Sequence, residues 1–345
     1  MRIKVLPCLI GAPKDIKQVA NRYFIDSNST TISMSDLAKL DSFEQDVTIA
    51  SFIDANKPAF TSVDNSTASP LVDVNWLFHT GPAADPKGKK GLAALTAAMI
   101  AQGGSQTRSF KDIQLAMYPI AGSFGVQVDK VMISFRGRIH RDNAELWQSL
   151  VMDQLMNPGW REDDLKRLKT QVLNSIKSEL KSSNDEKLGK EVLYSALYQG
   201  HPYESFNSGD ISDIADITLQ DIREFYQTQF TQAKLTLGLT GNLPKAVKQQ
   251  MISALATLPK GDETRLSVPK APALKGRHVT VIEKNAASTA VSFGFPIDTT
   301  RADKDWVALW LIRSYFGEHR SHNSYLYRKI RAMRGMNYGD YSYPL

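Results

Sequence analysis

The sequence predicts an α+β fold arranged as duplicated domains, and three observations predict it. Apolar residues alternate with period two in LVDVNWLFHTG (71–81), FGVQVDKVMISFRGRIH (124–140) and KLTLGLTG (234–241), the pattern of strands with one buried face. Between them lie stretches with helical periodicity. Finally, DIKQVANRYFIDSNSTTISM (15–34) resembles DIREFYQTQFTQAKLTLGLT (221–240): each opens Asp-Ile, forms a short amphipathic helix and turns into β-type residues. A separation of roughly 200 residues is too long for a solenoid repeat and suits a duplicated domain.

Taken in order, residues 1–40 read as the tail of a preceding domain. Residues 41–70 are polar and irregular, with DNSTASP at 64–70, and read as a connector. The first complete α+β domain is expected over 71–259. After its opening strand comes GLAALTAAMIAQGG (91–104), a helix stopped by Gly103-Gly104. SFKDIQLAMYPIAG forms a second helix, ended by Pro119 and Gly122. DNAELWQSLVMDQLMNP carries an apolar stripe at Leu146, Leu150, Met152 and Leu155 and is closed by Pro158-Gly159. A long amphipathic helix over about 161–182 follows. Asn184-Asp185-Glu186 start another helix, where acids suit the N-terminal dipole. KGDETRLSVPKAPALKG (260–276) is rich in proline and charge and reads as an interdomain linker. Beyond it, 277–345 restarts the pattern with strands HVTVIEK and STAVSFGFPI, helices DKDWVALWLIRSYFGE and SYLYRKIRAMRG, and strand NYGDYSY. It reads as the start of a second, incomplete domain.

The 345 residues, 42% hydrophobic and 23% charged, can bury a full core. No apolar run approaches the roughly 18 residues of a membrane span, and no secretion signal is visible, so the expectation is a soluble chain of undetermined compartment, periplasm or cytoplasm. The single Cys8 excludes a disulfide framework. A net charge of +6, with acids and bases interleaved as in Arg161-Glu162-Asp163-Asp164-Leu165-Lys166-Arg167, describes a solvated surface and not a nucleic-acid stripe.

GPAADPKGKKGLAALTAAM invites a phosphate-loop reading, which fails. Gly88-Lys89 is followed by Lys90, where a Walker loop needs Ser or Thr, and the position five before Gly88 is Ala83. The glycines are read as the turn into the helix and the lysines as solvated. The stretch resembles instead the pitrilysin/insulinase family of zinc peptidases, which carry H-x-x-E-H on a helix. Gly81, Asp85-Pro86, Gly88-Lys89, Gly91-Leu92-Ala93, Met99 and Gly103 stand in register with the family's segment. The resemblance continues through HRDNAELWQSLVMDQLMNPGW, LYQGHPYESFNSGDISDIADITLQDIREFY and LTLGLTGNLP, over most of 70–345. It implies domains each made of a mostly antiparallel sheet with helices packed on one side.

Carried over position by position, the resemblance puts the two zinc histidines on Ala94 and Ala98, the general-base glutamate on Ala97, and the third ligand, a glutamate on a later helix, on Ser175. Zinc needs imidazole, thiolate or carboxylate donors, and alanine has none, so no metal is expected in this chain and zinc is expected in a catalytic partner. His79 and Glu179 are not at ligand spacing from a second histidine, and His319 and His322 form only an isolated i, i+3 pair; ordinary surface or turn roles are expected for them. The resemblance also implies an arginine and a tyrosine that reach the substrate backbone and the developing oxyanion, here Arg331 and Tyr338. The chain alone is expected to be inactive: a pseudo-peptidase half completing the chamber of a partner that bears H-x-x-E-H and holds a peptide substrate. The alternative is a scaffolding subunit with no role in proteolysis.

Overall fold

A computed structural model of the chain describes residues 60–178, 184–262, 266–273, 276–284, 289–301, 303–318, 321–337 and 339–344. The 15–34 repeat, the expected 1–40 tail and the connector up to residue 59 lie outside the described residues. The chain divides into two compact units, whose described residues lie within Asp46–Pro296 and within Ile297–Leu345.

In the first unit the alternating segments become strands: β1 (Thr61–Asn65), β2 (Leu71–Phe78), β3 (Ser123–Asp129), β4 (Met132–His140) and β5 (Leu235–Thr240). They form one sheet in the order β1-β5-β2-β4-β3, antiparallel throughout except for the parallel pair β1–β5. β1 lies inside the expected connector. It is an edge strand, so its polar, exposed TSVDN carries none of the alternation that marks the inner strands. Its anchor is Phe60, which is buried.

Among the described residues of this unit the α-helices are α1 (Leu92–Gln102), α2 (Phe110–Met117), α3 (Ala144–Met156), α4 (Glu162–Asn174), α5 (Asp185–Leu197), α6 (Ile211–Asp216), α7 (Leu219–Gln229) and α8 (Lys245–Leu255). The core is built on one face of the sheet, from Val72, Val74, Trp76 and Phe78 of β2, Ile133, Phe135 and Ile139 of β4, and Leu235, Leu237 and Leu239 of β5. Trp147 of α3 lies 5.9 Å from Trp76, and Phe230, just after α7, lies 4.8 Å from Phe78. The apolar stripe of α3 differs from the sequence reading. Leu146 is half exposed, while Ala144, Trp147, Leu150, Val151 and Leu155 face the core, because the indole sets the register of the helix against β2.

The helix ends follow their capping chemistry. Asn184 accepts the N–H of Lys187 at 2.9 Å at the start of α5. α1 stops at Gly103, and Gly104 adopts the left-handed φ of +72° that a β-carbon would strain.

The segment 260–276 is tied to the first unit at two places: Ala233 N–H bonds the carbonyl of Lys260 at 3.0 Å, and a ring nitrogen of His201 meets the carbonyl of Pro269 at 2.8 Å. The strands expected beyond it differ from the structure. The described parts of HVTVIEK and STAVSFGFPI form no hydrogen-bonded ladder, and Val279, Val281, Val291, Phe293 and Phe295 are exposed. Alternation prepares a strand, but a strand exists only when its backbone groups pair with a neighbour. The same holds for NYGDYSY, whose described residues are irregular. The second unit contains α9 (Asp305–Gly317) and a wide helical turn at Tyr327–Ala332. Among the described residues no helix is long and apolar enough to cross a membrane.

Candidate functional site

The candidate site is the entry to α1, where the chain leaves β2 through GPAADPKGKK. The carboxylate of Asp85 organises it. Its Oδ2 accepts the N–H of Gly91 and its Oδ1 that of Ala93, both at 2.8 Å. Two donors that the first turn of a helix leaves without intrahelical partners are thereby satisfied, by a group whose charge suits that end of the helix dipole. Asp85 is buried, and that burial pushes its pKa up to about 6 against the opposing pull of the two N–H groups and of Lys90.

Of the lysines expected to be solvated, Lys87 is exposed as expected, while Lys89 is tied down by its ammonium and Lys90 through its backbone. Lys89 Nζ donates to Asp221 Oδ2 and to the carbonyl of Asp216, each at 2.8 Å. Asp221 also closes a capping box with Thr218 at the start of α7. Desolvation works to raise the pKa of Asp221, but the bonds from Lys89 and Thr218 outweigh it and hold the carboxyl below its ordinary value. The backbone N–H of Lys90 donates to Asp213 Oδ2 of α6 at 2.9 Å. Gly209 presses onto the same loop so closely that a β-carbon there would stand 2.3 Å from the carbonyl oxygen of Lys90. These acids lie far along the chain, so the lysines look solvated in sequence and become partnered only when α6 and α7 fold back.

Helix α1 packs against α3, α4, α7 and β3. Ala97 is fully buried, while Ala94 and Ala98, one turn apart, are half-buried. Ser175 caps the end of α4. Three of the four positions lack any donor atom and the fourth offers a hydroxyl, so these residues do not fit zinc. Among the described residues, no three His, Cys, Asp or Glu side chains come together as a possible metal site. His79 Nε2 lies 3.1 Å from Thr236 Oγ1, and His322 stacks on Tyr327 at 4.8 Å. Arg331 belongs to the second unit, with its guanidinium 5.1 Å from the ring centre of Tyr327. Tyr338, Glu179 and His319 lie outside the described residues.

Residues 216–344 match the family model described as the peptidase M16 inactive domain. The non-peptidase homolog YmxG of Helicobacter pylori is 24% identical over 79% of this chain and 62% of its own length. The crystal structure of a peptidase M16 inactive domain from Pseudomonas fluorescens superposes with a TM-score of 0.68 at 24% identity, covering 82% of this chain and 68% of that one. The chain is thus similar to inactive and non-peptidase members of the peptidase M16 group, and it shares their fold. The fold is shared as well with the first half of the periplasmic protease PqqL of Escherichia coli, with a TM-score of 0.52 at 13% identity over 61% of this chain and 47% of that one. The chain thus spans about three fifths of the length of YmxG.

Sequence reasoning placed the helix α1 but missed the work of Asp85, which it read only as half of an Asp-Pro pair. The available signal was its place six residues before the helix-opening Gly91, with no Ser, Thr, Asp or Asn at the cap itself.

Proposed function

We propose that this chain is the zinc-free, pseudo-peptidase half of a pitrilysin-like metalloendopeptidase, completing the substrate chamber of a partner that carries H-x-x-E-H and zinc. The observation that carries the reading is α1 itself. Its Asp85-Pro86 turn and Leu92-Ala93 entry resemble the approach to the peptidase helix, and in that resemblance Ala94, Ala97 and Ala98 stand where the two histidines and the glutamate would be. A helix retained at that place without donors supports a role in shape and binding. In this reading Arg331 and Tyr338 bind the peptide and the oxyanion from the non-metal side; each such donor contributes about 3–4 kcal/mol in a dry site.

The test pairs this chain with the H-x-x-E-H-bearing subunit or half that co-purifies with it and follows cleavage of a quenched fluorescent peptide. Arg331→Ala and Tyr338→Ala should each lower kcat by about two orders of magnitude with the assembly intact. Unchanged kcat in both variants would overturn the catalytic contribution and leave the scaffolding role.

A further inference from the structure

The sheet face opposite the core carries a groove that the M16 reading does not use. It has a volume of about 560 Å3 and is lined by Asp73, Asn75, Ser123, Arg136, Arg138 and Gly238, among others. The strand register explains its shape. Gly125 of β3 pairs with Arg136 of β4, Arg136 with Asn75 of β2, and Asn75 with Gly238 of β5. One transverse row therefore reads Gly-Arg-Asn-Gly, with the only two side chains at its centre and bare backbone at either end. A β-carbon on Gly125 would meet nothing within 4 Å, and one on Gly238 would meet only Asn75. Four strands spaced about 4.8 Å apart make this trough about 14 Å long, the span of some four extended residues.

The polar groups at its centre are arranged as donors. Ser134, fully buried, accepts a hydrogen bond from Arg136 Nε at 3.1 Å and lies 2.7 Å from Asn75 Oδ1. The Ser134 hydroxyl thus accepts from Arg136 Nε and donates to Asn75 Oδ1. With the amide oxygen toward Ser134, Asn75 Nδ2 has no hydrogen-bond acceptor among the described residues. The terminal nitrogens of Arg136 are in the same state: no carboxylate among the described residues lies within 4 Å of them. The adjacent Arg138, by contrast, is neutralised by Asp73, at 2.7 and 3.2 Å. The row thus presents an oriented guanidinium and an amide NH2, with no acceptor bonded to either guanidinium end nitrogen or to that NH2 among the described residues.

We propose that this groove is a peptide subsite specific for an acidic residue, in which Arg136 and Asn75 together bind the side-chain carboxylate of an extended segment lying over Gly125 and Gly238. A carboxylate supplies the two acceptors that a guanidinium fork matches, and glycines on both sides let the backbone of the ligand approach the sheet. Arg138 is already paired and contributes little.

The test uses the chain alone and needs no proteolysis, so it stands or falls separately from the Arg331–Tyr338 reading. Two fluorescein-labelled nine-residue peptides of serine and threonine, one with a central glutamate and its twin with glutamine, are titrated by anisotropy at low salt. The intact chain should bind the glutamate peptide about tenfold more tightly than the glutamine peptide. Arg136→Gln should abolish that preference, and Arg138→Gln should leave most of it. Circular dichroism and thermal unfolding establish that each variant is folded. Equal affinity of the intact chain for the two peptides, or a preference that survives Arg136→Gln, would overturn the proposal.

Discussion

Replacing Asp85 by asparagine separates the two roles of that carboxylate. In the folded chain burial holds its pKa at about 6, against the ordinary aspartate value of 3.8, so between those values the native state binds a proton that the unfolded chain has released. Protonation of Asp85 thus stabilises the fold. The contribution is fully present below pH 3.8 and is lost as pH rises through about 6. A shift of about two units corresponds to about 3 kcal/mol in all, of which about 2 kcal/mol falls between pH 4.5 and 7.5. Asparagine cannot titrate, and it keeps a single acceptor for the N–H groups of Gly91 and Ala93. Urea denaturation of both proteins at each pH gives the measurement. Subtracting the two profiles cancels every other titrating group, including Glu191, whose pKa is also raised by burial. The stability of the wild type relative to Asp85→Asn should fall by about 2 kcal/mol from pH 4.5 to 7.5. A difference that stays constant across that range would refute the argument that Asp85 is a buried carboxylate ionised at a cost.

Two packing changes offer further checks. Gly137→Ala would place a β-carbon 2.2 Å from Cζ2 of the buried Trp147, and should cost about 1–3 kcal/mol, read as a lower urea midpoint at constant m-value. Ala97→Glu should destabilise the chain by about 3–5 kcal/mol by burying an unpaired carboxylate at a position with no exposure, whereas Ala94→His at its half-buried neighbour should change stability by under about 1 kcal/mol; comparable thermal shifts in the two variants would contradict the burial described for α1.

What was legible in the sequence follows from where its information is local. The inner strands β2, β4 and β5 show their alternation because one face of each is buried, and α1 shows its glycine stop because the turn is made by adjacent residues. β1 was illegible because an edge strand with exposed side chains has the composition of a loop. HVTVIEK and STAVSFGFPI misled in the opposite direction, since their pattern meets no ladder partner among the described residues. At the candidate site, the loss of donors at Ala94, Ala97 and Ala98 could be read directly. The pairing of Lys89 with Asp216 and Asp221 could not, because it joins groups more than a hundred residues apart.

The ties around GPAADPKGKK also bear on how the molecule opens. Asp85 holds the first turn of α1, while Lys89 and Lys90 hold the corner formed by α6 and α7. Fraying of α1 would release Asp85 from its two amide partners, and opening of the α6–α7 corner would break the Lys89–Asp221 pair, both within the same ten residues. The amides of Gly91 and Ala93 and those of the first turn of α7 should therefore exchange with solvent deuterium at matching rates, as one cooperative unit spanning distant parts of the chain.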